Sequence, residues 1–86
     1  MADFAFTVAT PERQLVDERA SEAQIPALGG YLGVLPGHAR LLSELASGKL
    51  SWVSGSASKS LSIKGGFVEV LPDRVRILTD SASAAD

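Results

Sequence analysis

The chain has 86 residues, 45% of them apolar and 21% charged, with eight Lys and Arg against ten Asp and Glu for a net charge of −2. A chain of that length is one small domain, burying only roughly 60–65% of the surface its unfolded form exposes, so its stability is thin. It contains no cysteine and a single histidine, which excludes a disulfide, a thiolate metal site and a paired-histidine zinc site. The cations are scattered, without the basic stripe interleaved with aromatics that marks a nucleic-acid binder. No apolar run approaches the ~18–20 residues of a membrane span. The opening Met1-Ala2-Asp3-Phe4 has neither a basic nor an Arg-rich amphipathic stretch, so no targeting segment is expected and the default address is the cytoplasm.

Phe4, Phe6 and Val8 alternate with Asp3, Ala5 and Thr7, the period of a strand with one buried face. Thr10-Pro11-Glu12-Arg13 reads as a turn, because proline fixes φ and donates nothing to a ladder, and Gln14-Leu15-Val16 as a short second strand. Ala20 to Ile25 is the third, with Ala23 and Ile25 facing in and Pro26 ending it. Its Ala, Ser, Glu and Gln suit a helix equally well, and only its neighbours favour a strand.

Between Gly29 and His38 stand four glycines and a proline, a density that marks unusual φ/ψ or close backbone approach, with short extended pieces between. Leu41, Leu42 and Leu45 follow, and Ser47-Gly48 reads as a turn. Lys49 to Val53 and Lys59 to Ile63 read as the arms of a hairpin whose polar loop is Ser54 to Ser58. After Gly65-Gly66 come Phe67 to Leu71, a reversal at Pro72-Asp73, and a last strand in which Val75, Ile77 and Thr79 alternate with Arg74, Arg76 and Leu78. The expectation is an all-β fold, an antiparallel β-sandwich or flattened barrel of about 8–10 short strands without an amphipathic helix. Residues 1–80 make up this domain, and Ser81-Ala82-Ser83-Ala84-Ala85-Asp86, with no side chain large enough to anchor a core, reads as a disordered tail.

Catalytic patterns are missing. The serines include no Gly-x-Ser-x-Gly elbow, Gly48-Lys49-Leu50 lacks the rest of a phosphate loop, and sequence neighbours such as Asp17 and Glu18 would point to opposite sheet faces. No catalytic, cofactor-binding or metal-ligating residue is assigned. His38 reads either as a turn histidine bonding its own loop or as a contact at a partner surface. Trp52 fits a core or sheet-face position, or one half of a sugar-stacking platform with Tyr31, while Tyr31 itself fits partner contact or surface packing.

The string Gly30-Tyr31-Leu32-Gly33-Val34-Leu35-Pro36-Gly37-His38-Ala39 with Leu41-Leu42, followed by Gly65-Gly66-Phe67-Val68-Glu69-Val70 and Arg74-Val75, resembles the amino-terminal β-sandwich domain of the ε subunit of F-type ATP synthases, called δ in mitochondria. Phe6 to Glu12 resembles that family's first strand and turn, and the resemblance spans residues 4–80. It implies a non-catalytic rotor subunit at the foot of the central stalk, bound to γ and to the c-ring, which couples proton-driven rotation to ATP synthesis. The implied address is peripheral, on the cytoplasmic face of the bacterial plasma membrane. By motif, the γ-contact positions are Thr10, His38 and Ser43, with Arg40 standing where relatives often carry proline. The c-ring contact falls on Gly29, Gly30, Tyr31 and Leu32, where many relatives read Glu-Gly-Glu, so an ionic contact gives way to the aromatic area and hydroxyl of Tyr31. The six residues after Asp80 leave no room for the family's two-helix carboxy-terminal domain, and for a protein of 86 residues neither helix-mediated inhibition of ATP hydrolysis nor ATP sensing is expected. The competing reading is a free-standing β-sandwich that binds carbohydrate or another ligand, which requires Tyr31 and Trp52 on one exposed face. A small hydrolase would require a hydroxyl within reach of His38.

Overall fold

A computed structural model describes residues 2–84. Ten strands follow in chain order: β1 (Phe4–Ala9), β2 (Gln14–Ala20), β3 (Glu22–Ala27), β4 (Gly30–Val34), β5 (Leu41–Glu44), β6 (Gly48–Ser54), β7 (Ala57–Lys64), β8 (Phe67–Leu71), β9 (Arg74–Leu78) and β10 (Ser81–Ala84). They form two five-stranded sheets, ordered β2-β1-β9-β8-β5 and β10-β7-β6-β3-β4. The expected β-sandwich is therefore the observed fold, and every ladder is antiparallel except that of β1 with β9, which runs parallel from Ala5 opposite Arg74 to Ala9 opposite Leu78.

Alternation places the core. Phe4, Phe6 and Val8 of β1, Val75 and Ile77 of β9, and Val68 and Val70 of β8 are buried from the first sheet; Ala23, Ile25, Leu50, Trp52 and Ile63 meet them from the second. Trp52 is 4% exposed, and its ring lies 5.0 Å from that of Phe6 across the sandwich. Full burial of such side chains stabilises by roughly 1.5–3 kcal/mol each, the driving force for closing one sheet on the other. The buried indole needs an acceptor. Its Nε1 donates to Glu18 Oε2 at 2.6 Å, and Lys59 Nζ donates to Glu18 Oε1 at 2.9 Å. The indole and then the ammonium hold the Glu18 carboxyl below its ordinary 4.5, against a smaller opposing effect of desolvation. One side chain of β2 thus ties the first sheet to β6 and β7 of the second.

Three local readings change. Pro26 does not end the third strand: it pairs with Tyr31 inside the β3–β4 ladder, and its carbonyl accepts from Ala46 N at 2.8 Å. A proline lacks only the donor, and the strand keeps its course because the acceptor side is used. Gly48 begins β6 rather than a turn; a Cβ there would stand 3.0 Å from both Pro26 Cβ and the Tyr31 hydroxyl. Residues Ser81–Ala84, expected as a disordered tail, form β10 against β7, with Ala82 opposite Ile63 and partly buried on the core. Small side chains suffice because the ladder is held by backbone hydrogen bonds and Ala82 closes the core edge. Ala85 and Asp86 of that expected tail lie outside the described residues.

Candidate functional site

Large apolar side chains that do not enter the core gather around β5. In the first sheet Val68, Val70, Val75 and Ile77 point inward, so Phe67 and Leu78, paired across β8 and β9, point outward. Leu42, opposite Glu69 on edge strand β5, shares that outer face. Leu42 is 71% exposed, Phe67 52% and Leu78 57%. Leu28, also exposed, lies with Leu42 and Phe67 on one groove. Beside the apolar group stands a loose pair, Arg76 Nη1 to Glu69 Oε1 at 3.8 Å, exposed on both sides. The set amounts to an apolar patch with a polar margin, the make-up of a protein contact surface.

A cleft of about 570 Å³ opens beside the patch, with Thr10, Glu44, Gly66, Phe67, Leu78 and Asp80 among its lining residues. Gly66 is at φ +106, where an added Cβ would collide with the Leu78 carbonyl oxygen and stand 2.7 Å from Thr79 Cα. Only glycine lets β8 begin this close to β9. Its carbonyl accepts from Leu45 N at 2.8 Å. Thr79 is buried in the cleft wall, its hydroxyl donating to the Gly65 carbonyl at 2.8 Å.

The γ-contact positions expected from the resemblance fall at the two ends of β5. Thr10 lines the cleft, its amide donating to Arg13 O at 2.9 Å, and Ser43 lies in the groove with Leu28 and Leu42. His38 and Arg40 lie before the other end of β5, where Gly37 N donates to Pro72 O at 2.8 Å. His38 Nδ1 is 2.6 Å from the Ala39 carbonyl; a carbonyl only accepts, so Nδ1 carries the proton and donates. The ring is half-buried and bonded to its own loop, while Arg40 is exposed.

The c-ring positions expected from the resemblance run from the β3–β4 turn at Gly29 into the start of β4. Gly29 and Gly30 are exposed, with open space where a side chain would stand. Tyr31 is 60% exposed, and its hydroxyl accepts from Lys49 N at 3.0 Å. The side chain therefore spans from β4 past Pro26 to β6, held at its tip and open along its ring. Leu32 faces the other way and is partly buried against the core, so at that position the side chain is turned from the face that Tyr31 presents. The two sets of positions are not isolated from one another. Leu28 N donates to Glu44 O at 3.2 Å and Ala27 bridges Leu45, which brings the β3–β4 turn to the end of β5.

Sequence reasoning passed over the apolar face itself. Its signal was present: in Phe67-Val68-Glu69-Val70-Leu71 and Arg74-Val75-Arg76-Ile77-Leu78 the valines and Ile77 take one parity, leaving Phe67 and Leu78 on the other. The stacking platform fails, because Trp52 is enclosed in the core while Tyr31 is on the surface. His38 meets a carbonyl rather than the hydroxyl that a hydrolase reading requires.

Residues 3–85 match the model of the family described as "ATP synthase, Delta/Epsilon chain, beta-sandwich domain". The ATP synthase epsilon chain of Solibacter usitatus (strain Ellin6076) is 54% identical over 56 residues, or 65% of this chain and 42% of its own length. That of Koribacter versatilis (strain Ellin345) is 47% identical over 64 residues, covering 73% of this chain and 45% of its own length. This chain thus spans less than half the length of these two relatives. Among solved structures, a chain from the cryo-EM structure of Euglena gracilis mitochondrial ATP synthase, OSCP/F1/c-ring in rotational state 1, is similar with a TM-score of 0.90 and 29% identity, over 98% of this chain and 54% of that one. A chain from the Tetrahymena thermophila mitochondrial ATP synthase central stalk and c-ring shares the fold, at TM-score 0.80 and 17% identity over 94% of this chain and 66% of that one. With almost the whole of its length matched, the chain belongs to the β-sandwich domain family of ATP synthase delta and epsilon chains.

Proposed function

We propose that the chain is a rotor component of an F-type ATP synthase, docking to γ and to the c-ring so that proton-driven rotation is coupled to ATP synthesis, and performing no bond chemistry itself. The observation that carries this reading is the pairing of two exposed surfaces on one corner: the Leu42, Phe67 and Leu78 face, and the open β3–β4 turn with Tyr31. A part that transmits torque between two neighbours needs two such surfaces and a stiff body between them, and a sandwich closed by Phe6, Trp52 and Glu18 is such a body.

In this reading Thr10, Ser43, His38 and Arg40 border the γ contact along β5, and Gly29, Gly30, Tyr31 and the backbone at Leu32 meet the c-ring. Tyr31 takes the place of acidic groups, offering a fixed aromatic ring, with the flanking glycines allowing the partner's backbone to come close. The working position is peripheral, on the cytoplasmic face of a bacterial plasma membrane, held there by the two partners. No helix of the described residues is long and apolar enough to cross a membrane. The similarity to ATP synthase epsilon chains and to a chain of an assembly with F1 and c-ring supports the reading. The test is reconstitution with the cognate γ subunit and then with the isolated c-ring. Binding to γ at micromolar concentration and recruitment of the c-ring to that complex are expected. Failure to bind γ overturns the reading, and a Tyr31→Ala chain that holds the c-ring unchanged removes Tyr31 from the contact.

A further inference from the structure

The cleft beside the apolar patch carries charge that the chain itself does not answer. Glu44 and Asp80 both line it, both are exposed, and among the described residues neither has a cation within ion-pair distance. Apart from Thr10 and Thr79, the rest of the lining is apolar or glycine, with Phe67, Leu78 and Leu45 its largest side chains. A volume of about 570 Å³ exceeds what one aromatic or leucine side chain occupies and falls in the range of small-ligand pockets. Two unanswered carboxylates at the mouth repel an acidic segment and favour a cationic one.

Resting on the rotor reading, we infer that this cleft is the anchor site for γ, and that it takes a γ segment carrying a bulky apolar or aromatic side chain beside a lysine or arginine. The apolar side chain enters between Phe67, Leu78 and Leu45, and the cation stands between Glu44 and Asp80 at the rim. Thr10, next to them in the lining, donates its hydroxyl proton to the Arg13 carbonyl at 3.3 Å and so offers the segment's backbone an acceptor oxygen. Gly66 lets β8 start against the Leu78 and Thr79 backbone, and the β8–β9 ladder held in this way means that the site is formed before the partner arrives.

The experiment measures binding of cognate γ by the wild-type chain, by the double variant Glu44→Gln with Asp80→Asn, and by Leu78→Ser, each at two salt concentrations, with thermal unfolding of every chain as the check on folding. The carboxylate variants keep side-chain size, and Leu78 lies on the surface, so all three should fold. The double variant is expected to weaken γ binding about tenfold at low salt and to flatten its salt dependence. Leu78→Ser is expected to weaken it about tenfold at both salts. A double variant that binds γ within about twofold of wild type with the same salt dependence overturns the cationic anchor while leaving the rotor reading intact. A wild-type chain that does not bind γ overturns both.

Discussion

The two outer faces of this sandwich cover the same core and differ in what they show to their surroundings. On the second sheet, outward positions of β6, β7 and β10 are mostly small and polar: Ser51 opposes Ser60, Ser62 stands between Lys49 and Ser83, and Val53 opposes Ser58. On the first sheet, the equivalent positions of β8, β9 and β5 carry Phe67, Leu78 and Leu42. A face of short hydroxyls is content in water. A face of exposed large apolar groups loses free energy there, by about 25 cal/mol per Å² of apolar area. A contiguous face of that kind is the mark of a surface that a partner covers, as the rotor proposal requires. Burial alternation locates the core on both sheets, whereas the candidate docking face is found by asking which outward positions carry large apolar side chains in place of polar ones.

The largest effect is expected at Gly66, which permits the start of β8 beside the apolar face. Gly66→Ala drives a methyl into the Leu78 carbonyl and should remove at least about 4 kcal/mol or prevent folding, read by urea unfolding. Unfolding with an unchanged midpoint would show that the face does not depend on that close approach. Next comes the contrast itself. Leu42→Arg should weaken γ binding about a hundredfold, whereas Ser62→Arg on the opposite face should leave it within about twofold; equal losses would dissolve the distinction.

At the seam between the sheets, Glu18→Gln should cost about 1.5–3 kcal/mol, because a charged acceptor for the Trp52 indole and the Lys59 ammonium is replaced by a neutral one. The folded Glu18 carboxyl releases its proton more readily than the unfolded one. The stabilisation is therefore complete above the ordinary 4.5 and drains away as pH falls through the lower folded value. Wild-type stability measured from neutral pH into acid should show this acid-side loss, and Glu18→Gln should flatten it. Smaller again is Tyr31→Phe, which removes the acceptor for Lys49 N and should cost about 0.5–1.5 kcal/mol. The smallest is Arg19→Ala. Its 2.6 Å pair with Asp3 is exposed on both sides, and under about 1 kcal/mol is expected.

The sandwich was legible because its strands obey a strict period of two: Phe4-x-Phe6-x-Val8 and Val75-x-Ile77 state which face is buried. Pro26 misled because a proline's missing donor says nothing about its acceptor, and only the position of Ala46 reveals that the acceptor is used. Ser81–Ala84 misled for the opposite reason. Its small residues carry no local signal, and its strand exists because β7 offers an unpaired edge. The candidate site was legible in its turns, Gly29 to Tyr31 and Thr10, through motif resemblance. The cleft between them was not, since Glu44, Gly66 and Asp80 meet only after β5, β8 and β9 have assembled.

The parallel ladder of β1 with β9 has a consequence for biosynthesis. Strand β9 sits between β1 and β8 in the first sheet, so β1, which leaves the ribosome well before β9, waits for residues near 74–78 before its inner edge is closed. The β6–β7 hairpin closes on its own two-residue turn and has no such delay. Joining distant stretches of chain is slow, and until it happens β1 carries Phe4, Phe6 and Val8 on an open strand edge. The chain's period of greatest exposure to aggregation is thus the interval between the emergence of its first strand and its ninth, and agents that shorten or shield that interval should raise the yield of folded protein more than any change to the finished surface.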